Sequence, residues 1–381
     1  MRDKPSFEAY RAKQRFGSLD GLRALSIVAV MWHHSGGPEV VEILKRGQLG
    51  VHLFFAISGF LITTLLIREK DRYGEISIRN FFLRRSLRIF PLYYAILTVY
   101  VIVVLVIERG SQAGQAFLSN LPYFLTYTTN WFVDYKNGER TIFYFAWSLA
   151  TEEQFYIVFP WLVAFTSKRT TTTALASVLT IAYLAQSSRL FGLMPENSFL
   201  GKLLWNIAPC IILGALAAIT MHSRRGFNAM ALIFGHRISF PIVLAVIALV
   251  ANMPKGGISQ EYVIFLLLVA LVISAVLRED HMLANVLRAR WIARIGMISY
   301  GMYLMHLLCF HASDLIWKFT GWPKWVGHVT LGLALTILMA EISFRTFEAW
   351  FLRRKARFSP MPHFEPNPDD HFRAEPSRDT S

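Results

Sequence analysis

Residues 262–277 read YVIFLLLVALVISAVL, and that run decides the fold. Wound as a helix it is apolar on every side, and such a helix is buried in lipid or in a very large core. Leu92–Ile107 and Ile238–Ala251 have the same character. One such run fits inside a soluble domain, but several in a chain of 381 residues describe an all-α polytopic membrane protein. The composition agrees. Hydrophobic residues make up 54% of the chain and charged residues 17%, against about 25% charged in ordinary globular domains. Mean hydropathy is +0.40. The 14 Tyr and 10 Trp suit membrane interfaces.

Two cysteines, Cys210 and Cys309, both lie in apolar stretches, so neither a disulfide framework nor a CxxC metal site is expected. The net charge of +14 could mark a nucleic-acid partner. In a membrane protein, however, basic residues gather on the cytoplasmic side, and no nucleic acid is expected. Met1–Phe16 is polar and basic, and no cleavage pattern follows the first apolar run, so that run is expected to stay as a transmembrane helix.

Apolar runs of about 20 residues divide the chain into ten spans: Leu19–Ser35, Gln48–Ile67, Leu87–Ile107, Tyr144–Phe165, Thr172–Leu190, Gly201–Met221, Arg237–Ala251, Glu261–Leu277, Ile295–Ile316 and Val326–Phe344. Phe117–Phe132 is an eleventh candidate, shorter and more polar. Charge arbitrates. If that segment does not cross, Lys and Arg divide 25 to 8 between the cytoplasmic and outer sides; if it crosses, they divide 16 to 17. Only ten spans keep the basic bias that orients membrane proteins. Phe117–Phe132 is then a re-entrant or interfacial outer segment, and both termini are cytoplasmic. A basic N-terminus (1–18) precedes a transmembrane domain (19–346), and a cytoplasmic tail (347–381) follows, disordered after Phe358 on composition. A reporter after Ser381 is expected to signal cytoplasm, and a tag in 134–139 the outer side. A cytoplasmic signal from the tag would restore eleven spans. No paired broken segments of the kind found in inverted-repeat transporters are expected.

Charge inside hydrocarbon is expensive and marks function by default. LDGLRALSIVAVMWHHSG, 19–36, holds Arg23 and His34 eleven residues apart. They lie nearly on one helical face, about 16 Å apart along the axis, while His33 points about 80° away. In the fourth span, Glu152 and Glu153 sit between Trp147 and Tyr156 and point to different faces; one of them can reach the bundle interior and orient an imidazole. RNFFLRRSLRIFPLYY, 79–94, carries Arg84, Arg85 and Arg88 at the cytoplasmic mouth, a cluster able to grip phosphates or to anchor the helix. GVHLFFAISGFLI, 50–62, carries His52, more often a core histidine than a catalyst, with the small residues Ser58 and Gly59. SYGMYLMH, 299–306, repeats Ser299, Tyr300, Tyr303 and His306 at helical spacing, for which packing is the safer reading.

Taken together and in this order, these stretches resemble the acyltransferase-3 family of integral membrane O-acyltransferases over residues 17–350. The resemblance implies a ten-helix bundle that moves an acyl group, acetyl above all, from cytoplasmic acyl-CoA to a hydroxyl of an extracytoplasmic carbohydrate or lipid-linked saccharide of the cell envelope. It implies a multi-pass protein of the inner (plasma) membrane with no permanently bound cofactor. By the same resemblance, His34 and Arg23, with Glu152 and Glu153, are the catalytic candidates. Arg84, Arg85, Arg88, His52, Ser58, Trp147 and Tyr156 are the substrate-binding ones. His52 stands where the family motif often has an acidic residue. The rival from another class is a transporter or flippase that holds an anionic solute among the same arginines.

Overall fold

The computed structural model describes residues 5–38, 40–134, 141–187, 198–319 and 322–358. Among them every regular element is helical. The described residues carry many large apolar side chains on the outside as well as in the core, and several polar ones within. Val106, Ile107, Phe165 and Leu249 are exposed on the outside, while Glu153, Thr336 and His306 are buried. Only lipid makes an exposed apolar surface of this extent favourable.

Helix α1 is Gly17–His34, α2 Gln48–Tyr73, α3 Ile78–Val103, α4 Ala146–Phe165 and α5 Lys168–Gln186. Then come α6 Pro209–Met221, α7 Arg224–Phe234, α8 Ser239–Asn252, α9 Gly257–Leu277, α10 Arg290–Ile316, α11 Lys324–Ser343 and α12 Ala349–Lys355. Local signals set several boundaries. Gly74 ends α2 in the left-handed conformation (φ 80°), which glycine adopts without steric penalty. Ser77 caps α3, its hydroxyl accepting from the Asn80 N–H while its own N–H donates to Glu69 Oε1 at 2.9 Å. Residues 79–86, expected as part of a cytoplasmic loop, are therefore the first turns of α3. No helix breaker follows that cap before Pro91, so the arginines ride on a rigid helix.

Five helical stretches are long and apolar enough to cross a membrane, and seven if two bent pairs each count as one span. The sequence count of ten also includes α1, α4 and α5, whose polar side chains dilute their hydropathy. Phe117–Phe132 falls within three short helices, Gln112–Ser119, Leu121–Leu125 and Thr129–Phe132, none long enough to cross. Broken segments, not expected from the sequence, are present: Phe199–Trp205 meets α6 at 54°, and α7 meets α8 at 71°. Pro209 opens α6 and breaks the first pair. Helix extends past residue 346 into α12, beyond the expected end of the membrane domain. The tail after Phe358 and most of the 134–139 tag site lie outside the described residues.

Three contacts hold the centre of the bundle. A Cβ on Gly59 would lie 2.0 Å from the Ile211 carbonyl oxygen, and one on Gly214 would lie 2.3 Å from that of Ala56, so α2 and α6 touch backbone to backbone. Likewise a Cβ on Gly296 would collide with the Asp20 carbonyl, which draws α10 onto α1. With Gly50 of α2, whose added Cβ would lie 2.3 Å from the Ser26 carbonyl oxygen of α1, these close approaches bring α1, α2 and α10 together around one polar interior.

Candidate active site

That interior contains a cavity of about 120 Å³. Its polar wall is Arg23 from α1, Ser58 from α2, Arg85 and Arg88 from α3, Ser148 and Glu152 from α4, and Ser299, Tyr300 and Tyr303 from α10. It is smaller than the roughly 300–1,000 Å³ of pockets that engulf a drug-sized ligand. A space of this size takes one small polar group, such as a phosphate, or a few waters.

Partners rather than helical phase sort the three arginines of α3, since Arg84 and Arg88 at i,i+4 share one face. Arg84 turns away from the cavity: its guanidinium donates to the Phe358 carbonyl at 2.7 Å and to Glu69 Oε2 at 3.1 Å. Arg85 and Arg88, one turn apart, line the cavity. Arg85 lies 3.8 Å from the centroid of the Tyr156 ring and 3.6 Å from Glu152 Oε1, and its Nε finds no acceptor among the described residues. Around Glu152 a compact polar knot forms, because the Ser58 hydroxyl and the Tyr156 hydroxyl both donate to Glu152 Oε1. For Arg88 no hydrogen bond or ion pair is found among the described residues, and its side chain lines the cavity.

The adjacent glutamates separate as their helical phase requires. Glu152 is on the cavity wall, and Glu153 is buried but absent from it. Arg23 also lines the wall, with its Nη1 2.9 Å from Asp20 Oδ1. His34 does not touch Arg23; it sits about three turns further along α1, at the helix C-terminus. Its contact is His306 of α10, whose Nε2 is 2.9 Å from His34 Nδ1, with the two rings stacked at 4.9 Å between centroids. Tyr144 packs edge-on against the His34 ring at 5.6 Å, and His33 is exposed.

Tyr303 links the two halves. Its hydroxyl shares a 2.6 Å hydrogen bond with Ser148 on the cavity wall, and its backbone carbonyl lies 2.6 Å from His306 Nδ1. The sequence reading of SYGMYLMH as packing therefore missed four residues of the site: Ser299, Tyr300 and Tyr303 on the wall and His306 against His34. The available signal was the histidine itself, an ionisable group inside a span. Conversely, His52 is absent from the cavity wall. Its ring packs at 4.6 Å on Phe265 of α9, and its Nδ1 has no partner among the described residues. Trp147 packs edge-on to Phe55 at 6.3 Å and also lies off the wall. Among the described residues no group of three or more His, Cys, Asp or Glu side chains could hold a metal ion.

Comparison with known proteins adds a family and several relatives. The acyltransferase-3 family model, described as an acyltransferase domain, matches residues 16–342. A Bacillus subtilis protein, YrhL, provisionally named as a peptidoglycan O-acetyltransferase, is 26% identical over 353 residues, covering 87% of this chain and 54% of that protein. A Staphylococcus aureus protein, SACOL0978, provisionally named as an O-acetyltransferase, is 24% identical over 367 residues, 92% of this chain and 59% of that protein. The peptidoglycan O-acetyltransferase OatA of Listeria monocytogenes is 32% identical over 150 residues, 38% of this chain and 23% of that protein. The chain spans little more than half the length of the first two and under a quarter of the third. No solved structure matches it.

Proposed function

The chain belongs to the acyltransferase-3 family, and from that premise we propose that it is a membrane O-acyltransferase. In this reading it moves acetyl from cytoplasmic acyl-CoA to a hydroxyl of an extracytoplasmic cell-envelope carbohydrate, in the inner membrane with both termini cytoplasmic. The observation that carries the proposal is one polar column across three helices. Cationic donors, Arg23, Arg85 and Arg88, line a small cavity, and Tyr303 joins that cavity to a paired imidazole, His34–His306. Such a column lets donor and acceptor meet inside the bundle without either crossing it.

The chemistry balances as follows. Neutral His34 takes the proton of the acceptor hydroxyl as its oxygen attacks the thioester carbonyl. The new C–O bond forms, the C–S bond breaks, and the CoA thiolate leaves with the proton returned from the imidazolium. A two-step variant passes the acyl group through the His34 ring. Arg23, about 16 Å along α1 from His34, is placed to meet the pantetheine end rather than the reacting carbonyl, and Arg88 and Arg85 to meet CoA phosphate. The names of the relatives favour a peptidoglycan acceptor.

The full chain in nanodiscs, given radiolabelled acetyl-CoA and peptidoglycan fragments, is expected to release free CoA and label the fragments in parallel. Uptake of an anionic solute without thioester cleavage would replace this reading with the transporter one. The bends at 206–208 and 235–238, which a transporter reading needs at its binding site, supply no residue to the cavity wall.

A further inference from the structure

The hydrogen bonds around His306 determine where His34 holds its proton. His306 Nδ1 lies 2.6 Å from the Tyr303 backbone carbonyl oxygen. A carbonyl only accepts, so Nδ1 carries the hydrogen, and a neutral imidazole protonated there has its lone pair on Nε2. That Nε2 is 2.9 Å from His34 Nδ1. Two lone pairs cannot share a hydrogen bond, so the His34 Nδ1 must be the donor. The remaining nitrogen of His34, Nε2, then bears the lone pair. No hydrogen-bond partner for it is found among the described residues.

We propose that His306 is a positioning residue that holds His34 in the Nδ1–H tautomer, leaving Nε2 as the atom that takes the acceptor's proton. The proposal rests on the acyltransferase reading for the purpose of that tautomer, though the tautomer itself rests on geometry alone. His306 suits the task because nothing about it is free to move. It is fully buried, ringed by Phe145 at 5.4 Å and Phe310 at 6.4 Å, and tied to the backbone one turn before it. The stacking of the two rings, 24° between planes, fixes the direction in which His34 Nε2 points. When His34 becomes imidazolium, its Nδ1–H still donates to the same acceptor, so no hydrogen bond is broken during the proton's stay. Among the described residues no carboxylate fills the role that an aspartate fills in hydrolytic triads, and the orienting group is instead a second imidazole with its own tautomer set by a peptide carbonyl.

Two measurements on the full chain in nanodiscs test this. Nitrogen NMR of histidine-labelled protein, with the His34 signals identified by their loss in His34→Asn, is expected to report Nδ1–H for His34. In His306→Ala the tautomer is expected to redistribute. In the acetyl-transfer assay, His306→Ala should lower kcat by about 10²-fold with the KM for acetyl-CoA nearly unchanged. His306→Gln should recover at least about tenfold of that loss, because its amide oxygen can accept from His34 while its NH₂ donates to the Tyr303 carbonyl. A wild-type His34 in the Nε2–H form overturns the proposal, as does a kcat loss in His306→Ala that glutamine leaves unrelieved. Full transfer in His34→Ala would instead overturn the acyltransferase assignment of that residue, with the NMR result still deciding the tautomer.

Discussion

Replacing His34 with alanine is expected to lower acetyl transfer by about 10²- to 10⁴-fold, the range a positioned general base contributes. Replacing its neighbour His33 is expected to cost less than about tenfold. Both are histidines at one end of α1, so composition and depth hardly distinguish them. Helical phase does, at about 100° per residue. His34 is turned inward onto His306, whereas His33 is exposed and leans on Gly47 at the start of α2, where an added Cβ would lie 2.1 Å from its own Cβ. The measurement is transfer of labelled acetyl per correctly inserted molecule, which removes any effect on expression. Activity should fall toward acid as the ring takes up a proton and loses its lone pair. The alkaline side should not follow this imidazole. Equal losses in the two variants would sink the phase argument, and the assignment would then rest on family membership alone.

The contrast between His34 and His306 also marks how far the sequence can be read. Run length and polarity identify an all-helical membrane protein, because apolar periodicity is local and survives without any tertiary information. The same local logic ranks His34 over His33 and separates Glu152 from Glu153 by their opposed faces. It cannot deliver His306. That residue lies 272 positions from its partner, and in a lipid-embedded bundle a site-facing stripe and a packing stripe share one periodicity. SYGMYLMH therefore reads as core. Arg23 and His34 share a face without touching, since eleven residues of helix separate them by about 16 Å, and Arg23 takes Asp20 instead. The arginine stretch failed differently. Dense charge resembles loop, but the Ser77 cap and the absence of a breaker before Pro91 make it helix; phase then leaves Arg84 and Arg88 on one face, and only its tertiary partners, Glu69 and the Phe358 carbonyl, take Arg84 away from the cavity.

That division of the arginines yields the sharpest test of substrate binding. Arg88→Ala is expected to raise the KM for acetyl-CoA by roughly 10- to 100-fold, the loss of one or two charge-assisted hydrogen bonds of about 1.5–3 kcal/mol, with insertion and topology intact. Arg88→Lys should recover only part, because a point charge cannot reproduce the planar fork. Arg84→Ala should shift the same KM by less than about threefold, since its guanidinium is already committed to Glu69 and the Phe358 carbonyl. Its effect should be structural: Glu69 loses the partner of a buried pair, so the unfolding temperature should fall and α12 should dock more loosely, read as faster proteolysis beyond Lys355. Arg85 falls between the two. It faces the cavity but also neutralises Glu152, and removing one partner of a buried pair destabilises by about 3–5 kcal/mol. Arg85→Ala should therefore lower the unfolding temperature, and adding Glu152→Gln should restore part of it. If all three alanine variants raised KM alike, the arginines would act only as a shared positive field, and the engagement of Arg84 by Glu69 and the Phe358 carbonyl would have no bearing on how acyl-CoA is held.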